Sequence, residues 1–397
     1  MGLGIEPLGS GHDFQALRGQ WEQLEAQLSL RTPFTSLLWS DLWWRHLRRN
    51  SRSIRDEFFA HVVTEQGRLV AIAPMMITGA PGRGIVRARV LQFFGADANL
   101  TEVRGLICRP QDQTRVIQAL CRHLRSRRAD WDWLEWSGIE ADAATDGSFC
   151  ELGGISWRDR LPCYFLQLPE SWQRFRTTRD RNIKESLRKC YNSLRRDGHC
   201  YELRVTIDPL GAAAALGRFF ALHRERARAP GFRPHPDHFA DPRSRTFLHE
   251  FVTAMAERGQ LYLFELKIDG TVVASRIAFA FADQLYLYYS GFLPQWGRYS
   301  VMTTLVAEAI KWAIEHRFAI VNLSTGEDIS KTRWGPQQHV WHQAVQTGYG
   351  WRKYLTYRLC HGARMVLRRR RQEASSGEIS ELRSGSPRRP AVPSHIP

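Results

Sequence analysis

Two strand-like runs, LYLFELKI (261–268) and TVVASRIAFAFA (271–282), are separated by Asp269 and Gly270 alone. Both residues tolerate the left-handed backbone of a two-residue hairpin, so the two runs pair antiparallel. QLYLYYSG (284–291) follows a short turn as a third strand. A helix then runs from about Val301 to His316, and FAIVNLS (318–324) is a short β-rich strand. Strand, helix and strand in that order bring the two strands together in parallel. A closing strand covers about His339 to Thr347. Helical spacing over Leu210–Ala227 and Pro242–Arg258 puts two helices ahead of the meander.

The first half repeats this order loosely. FFAHVVT (58–64) and LVAIAPMMI (69–77) read as a hairpin, followed by VLQFF (90–94) and VRGLIC (103–108). A helix at Asp112–Arg127 and the strand WDWLEWS (131–137) complete it. The residues themselves do not repeat, so only element order is duplicated. The expected fold class is α/β (α+β): tandem units, each a mixed, mostly antiparallel sheet flanked by helices. A boundary near Pro169 gives an N-terminal unit over 1–168 and a C-terminal unit over 169–362. Residues 363–397, rich in Arg, Ser, Gly and Pro, read as a disordered tail.

The 397 residues, 43% of them hydrophobic, suit two such units. No apolar run reaches the roughly 18 residues of a membrane span, and no secretory signal opens the chain. Seven cysteines without a C-x-x-C pair read as reduced thiols of a cytoplasmic protein. The formal charge of +16 favours anionic partners, and Trp172–Arg196 alone carries nine basic residues against two acidic ones. Ile183, Leu187, Tyr191 and Leu194 share one helical face there. The arginines fall opposite, as a solvated face or a surface for phosphate, nucleotide-sugar or tRNA. No G-x-S-x-G or Walker pattern appears. His235-x-x-His238 lies in a proline-rich stretch, which argues for a structural loop over zinc, and no metal is expected.

The stretch YYSGFLPQWGRYSVMTTLVAEAIKW (288–312) is a strand, a turn and a helix. The first turn of such a helix presents unpaired N–H groups and a favourable dipole to pyrophosphate. Gly297 would allow close approach, and Arg298 could meet a phosphate. The strands beside such a helix can also splay to admit a linear amide chain such as the pantetheine of CoA. An ordinary crossover connection has the same spacing.

The same segment resembles the GNAT superfamily, within it the CelD-like (BioF-like) acetyltransferases related to FemABX aminoacyl transferases. That family reads roughly R-Y-S-P-G-x-L-L here and later G-[DE]-x-x-Y-K-x-x-W-G. Arg298, Tyr299, Ser300, Thr304 and Leu305 keep the first pattern, with Val301 and Met302 where Pro and Gly are usual. Gly326, Glu327, Lys331, Trp334 and Gly335 keep the second, with Ser330 in place of Tyr. FFALHRER (219–226) resembles F-x-x-L-H-x-x-R, and PFTSLLWSDLWW (33–44) resembles the family's opening segment.

This resemblance implies two GNAT-like units in tandem and acyl transfer from acetyl-CoA or another acyl-CoA. The acceptor would be a small molecule or a polysaccharide precursor. Tyr288, Tyr289, Ser290 and Gly291 would supply backbone donors for the oxyanion. Gly297, Arg298, Tyr299, Ser300, Val301, Met302 and Thr303 would hold the cofactor's phosphates. Lys331, one of only six lysines against fifty arginines, would act at the reacting carbonyl, with Glu327 as general base. His223, Arg226, Asp328 and Trp334 are candidates for the acceptor cleft, with packing or pairing the plainer roles for His223 and Trp334. The alternatives are an aminoacyl-tRNA-dependent transferase and a non-catalytic binding protein on the same scaffold. Nucleic-acid binding through the Arg-rich tail is a further reading.

Overall fold

Asp269 and Gly270 both take positive φ, 49° and 81°, and the strands on either side pair antiparallel from Ile268↔Thr271, with one register shift between Leu266 and Lys267. The local turn chemistry thus sets the centre of the second half. The computed structural model describes residues 2–81, 87–97, 99–145, 147–229, 235–348 and 350–361, and the expected tail lies outside them.

The first half runs β1 (Gly4–Pro7), α1 (Asp13–Ala16), α2 (Arg18–Glu25), α3 (Leu37–His46), β2 (Arg55–Phe58), β3 (His61–Glu65) and β4 (Arg68–Ala73). It continues with β5 (Met75–Pro81), β6 (Arg87–Phe93), β7 (Ile107–Cys108), α4 (Pro110–Ser126), β8 (Trp133–Ile139), α5 (Ala141–Thr145) and β9 (Ile155–Gln167). The second half runs α6 (Trp172–Thr177), α7 (Arg181–Arg196), β10 (Tyr201–Thr206), α8 (Pro209–Arg228) and α9 (Pro242–Glu257). There follow β11 (Leu261–Ile268), β12 (Thr271–Phe281), β13 (Gln284–Phe292), α10 (Val301–Glu315), β14 (Ile320–Thr325), α11 (Ile329–Thr332) and β15 (Gln337–Thr347).

Eleven strands form one sheet in the order β10-β11-β12-β13-β14-β9-β15-β8-β6-β5-β2, and β1, β3, β4 and β7 form a smaller one. Among the described residues parallel pairing occurs twice, β6 with β8 and β13 with β14, each time around a helix. The two halves also exchange an element. β9 pairs β14 of the second half, and β15 pairs both β9 and β8, so the sheet runs unbroken through the position of the expected boundary.

Two expectations for the first half are corrected. The run LVAIAPMMI is not one strand. Pro74 has no N–H for a ladder, and the chain changes sheets there, β4 in the small sheet and β5 in the large. The strand expected over 103–108 shrinks to Ile107–Cys108, because Gly105 is wedged against another strand. A Cβ on Gly105 would lie 2.5 Å from the Ser137 carbonyl oxygen, and one on Gly138 would lie 2.5 Å from that of Arg104.

Aromatic residues join the halves on one face of the sheet. Ser36 caps α3, its Oγ accepting from the Trp39 N–H at 3.1 Å. Trp39, 2% exposed, then meets Phe247 and Phe251 of α9 edge-on at 4.8 and 4.9 Å. On the other face α7 and α10 bury Ile183, Leu187, Leu194, Leu305 and Ile310.

Candidate active site

β13 and β14 stay paired for only three residues, from Gln284↔Ile320 to Tyr286↔Asn322, and then separate. A bulge accompanies the opening. Leu287 and Ser290 face Ala278 and Arg276 of β12, so three steps on β13 oppose two on β12. Such a bulge turns backbone donors out of the ladder and toward the fork. α10 starts at the same end of β13, after a short 3-10 turn over Pro294–Tyr299. Its N-cap, Ser300, sits at φ 54° and makes no side-chain cap, so nothing from that side chain engages the first-turn N–H groups.

Charged groups converge at the open end of the fork. Glu102 arrives from the first half, in the loop between β6 and β7. Its carboxylate accepts the Tyr286 hydroxyl and, at 3.4 Å, the Thr325 N–H. Lys331 donates to Ser324 Oγ at 3.0 Å and to the Thr325 carbonyl. Burial pulls its ammonium below the usual lysine range, and the charge of Glu102 opposes that shift. Burial also brings Arg276 down to about 10, again against Glu102. Arg226 reaches Ser290 Oγ at 3.3 Å and feels the charge of Asp328. Among the described residues, two buried donors at the fork lack partners, Asn322 Nδ2 and Arg276 Nε. Orphaned donors of this kind mark a place where a ligand or water completes the bonding.

The loop that carries Glu102 is held on several sides. Trp43 Nε1 donates to Asp97 at 2.8 Å and Trp39 Nε1 to Thr101 Oγ at 3.1 Å. The Tyr288 hydroxyl donates to the Leu100 carbonyl at 2.6 Å, and that of Tyr289 to the Asn99 carbonyl at 2.7 Å. The side chains of Tyr288 and Tyr289 therefore clamp the first half, and only their backbone is left to face a donor. The Ser290 carbonyl accepts from Nδ1 of fully buried His223 at 3.0 Å. Gly291 admits helix α8, since a Cβ there would lie 2.3 Å from the His223 backbone nitrogen.

The other expected residues are placed around the turn, the core and α11. Val301 is buried in the core beneath α10, and half-buried Met302 packs on the same core, so both side chains turn inward. Thr303 and Gly297 are half-buried at the turn, and Thr303 closes onto the Ser300 carbonyl at 2.8 Å. Arg298 lies over the Tyr299 ring at 4.7 Å and donates to its hydroxyl, which in turn donates to Asp197. Asp328 caps α11 through the Ser330 N–H at 2.8 Å, and Glu327 beside it is exposed. Trp334 corrects the expectation of an acceptor contact. It is 1% exposed in the core with Phe175 and Leu187, and its carbonyl holds Arg179 at 2.6 Å. Glu102, Tyr286, Arg276 and Ser324 were missed, and Glu102 had no local signal, lying 184 residues from the tyrosine it binds. Among the described residues no group of three or more His, Cys, Asp or Glu is placed to hold a metal.

Residues 181–332 match the family model described as an acetyltransferase (GNAT) domain. FemX has the same fold, with a TM-score of 0.56 at 10% identity over 89% of this chain and 99% of FemX. The C-terminal domain of a putative lysylphosphatidylglycerol synthetase from Agrobacterium fabrum aligns with a TM-score of 0.48 at 11% identity, over 87% of this chain and 95% of that one. A tandem GNAT protein from the clavulanic acid biosynthesis pathway aligns at 0.46 and 15% identity, over 88% and 100%. No curated protein matches the chain. The matched domain defines an acyltransferase. Residues 181–332 thus carry the match to a GNAT acetyltransferase domain, and the chain as a whole shares its fold with FemX.

Proposed function

We propose that the fork between β13 and β14 takes an acyl-CoA and passes its acyl group, acetyl in the simplest case, to an amine or hydroxyl of a small polar acceptor. The fork itself carries this reading. It is a parallel pair that opens beside an uncapped helix start, with two orphaned buried donors inside and Glu102 and Lys331 at its mouth. The N–H groups at the start of α10 suit pyrophosphate, and the separated strands suit the amides of pantetheine. Val301 and Met302 leave that approach clear because their side chains are turned into the core.

In the reaction the acceptor's proton passes to the Glu102 carboxylate as its lone pair attacks the thioester carbon. The new C–N or C–O bond forms, and the oxyanion is held by backbone N–H groups of bulged β13 and by the Lys331 ammonium. Collapse breaks the C–S bond, and the thiolate leaves and takes a proton from solvent while Glu102 returns its own. Arg226 and Arg276 favour an acceptor that carries an anionic group, as a polysaccharide precursor does.

Calorimetry with acetyl-CoA, together with thiol release over a panel of amines and sugars, tests this. Lys331→Ala and Glu102→Gln should each lower kcat by about 10² or more while CoA affinity changes less than about threefold. Absence of binding heat at millimolar acetyl-CoA would sink the reading. Consumption of aminoacyl-tRNA in place of acyl-CoA would transfer the same fork to the other donor class.

A further inference from the structure

A groove of about 1000 Å³ runs along α7, between α6 and α10, and it is no part of the fork. Six cations line it, Arg176, Arg181, Lys184, Arg188, Arg195 and Lys311, against one carboxylate, Glu185. Helical geometry explains the concentration. Ile183, Leu187, Cys190 and Leu194 are buried, with α7 packed on α10, which leaves the basic positions of α7 on the outer face. Arg181, Arg188 and Arg195 stand seven residues apart, in a row with a spacing of about 10.5 Å. Arg181 is tied to Glu185 at 2.7 Å and Lys311 to Glu308 at 2.6 Å. Among the described residues Arg176, Arg188 and Arg195 have no carboxylate within ion-pair distance.

Flat rings interleave with this row. Tyr201 is 39% exposed, 5.7 Å from Tyr191, and Lys311 lies over Trp172 at 5.4 Å. Unpaired cations beside the exposed Tyr201 ring match the backbone and bases of a single-stranded nucleic acid. Concavity separates this from a lipid surface, which is flat and would meet a convex face. Lys311 is also ten residues, about 15 Å, beyond the start of α10, away from the donor end of the fork. We propose that this groove binds single-stranded RNA, with its phosphodiester chain along the α7 arginines and a base against Tyr201. The assignment does not rest on the acyl-CoA reading.

Fluorescence anisotropy of a labelled twelve-nucleotide RNA, titrated with the full chain at several salt concentrations, tests it. The pair Arg188→Glu and Arg195→Glu should weaken binding at least tenfold and reduce the log–log salt slope by about 1.4. Arg188→Gln with Arg195→Gln should do the same in milder form, with thermal melting showing that the fold is kept. Tyr201→Ala should cost about tenfold with the slope unchanged. The proposal is overturned by affinity that survives both arginine pairs, or by loss seen only when Arg368–Arg371 are replaced by Gln. Displacement of the RNA by CoA, or binding to phosphatidylglycerol vesicles without any to RNA, would overturn it too.

Discussion

His223 lies wholly inside the contact between α8 and β13, and burial, the first cause, pulls its imidazole down to about 4. His235 and His61 are brought down to about 4 in the same way, His61 also under the influence of His123 and His235 under that of Arg226. In the unfolded chain each titrates near 6.5. Between about pH 6.5 and 4 the unfolded state therefore binds more protons, and stability falls as the pH drops through that window. His223 and His61 each contribute up to about 3 kcal/mol, and the more exposed His235 contributes less because solvent screens it. Glu25 works the other way. Burial raises it to about 7, so its contribution is complete below about 4.5 and fades as the pH rises through 7. Three groups against one predict a urea midpoint that rises from pH 4.5 to pH 7. His223→Gln should flatten that rise, whereas a midpoint independent of pH in the parent chain would contradict the burial argument.

Elements meet here through absent side chains. α8 lies so close to β13 at Gly291 that a methyl group would strike the helix backbone, which cannot rotate away as a side chain could. Gly291→Ala should therefore destabilise the chain by about 2–4 kcal/mol, read as a lower melting temperature. It should also lower acyl transfer, because Arg226 and the Ser290 backbone move with α8. Melting unchanged within about a degree would show that the helix can slide at no cost. The same logic acts on Arg104–Gly105 against Ser137–Gly138, where backbone fills the space beyond the β6/β8 pair.

For the molecule as a whole, that filling separates two units with the same element order. In the second unit the parallel strands open onto side chains and a helix start. In the first, the corresponding opening is occupied by the chain's own loop, whose continuation delivers Glu102 to the other fork. On the proposed acyl-CoA reading the chain takes one donor, and calorimetry with acetyl-CoA should return a stoichiometry of one. A value of two would mean that the first opening can clear itself. The exchange of β9 and β15 makes the units parts of one sheet, so the two openings are held in a fixed relation.

The features legible in the amino-acid sequence are those decided by neighbours along the chain. Asp269-Gly270 specified a hairpin because two residues suffice for that turn, and the apolar spacing of α7 marked its buried face before any partner was known. The order of strands and helices, and with it the fold class, followed from such local signals. Lys331 could be singled out by its rarity and its motif. Glu102 could not, for a carboxylate in an unremarkable loop becomes a site residue only when β13 is laid beside it. Trp334 illustrates the converse, a motif residue that packing claims for the core. The exchanged strands and the closed first opening likewise depend on contacts between residues far apart in the chain. Those contacts are set by sheet register and close packing, and neither leaves a periodic trace in the residues that make them.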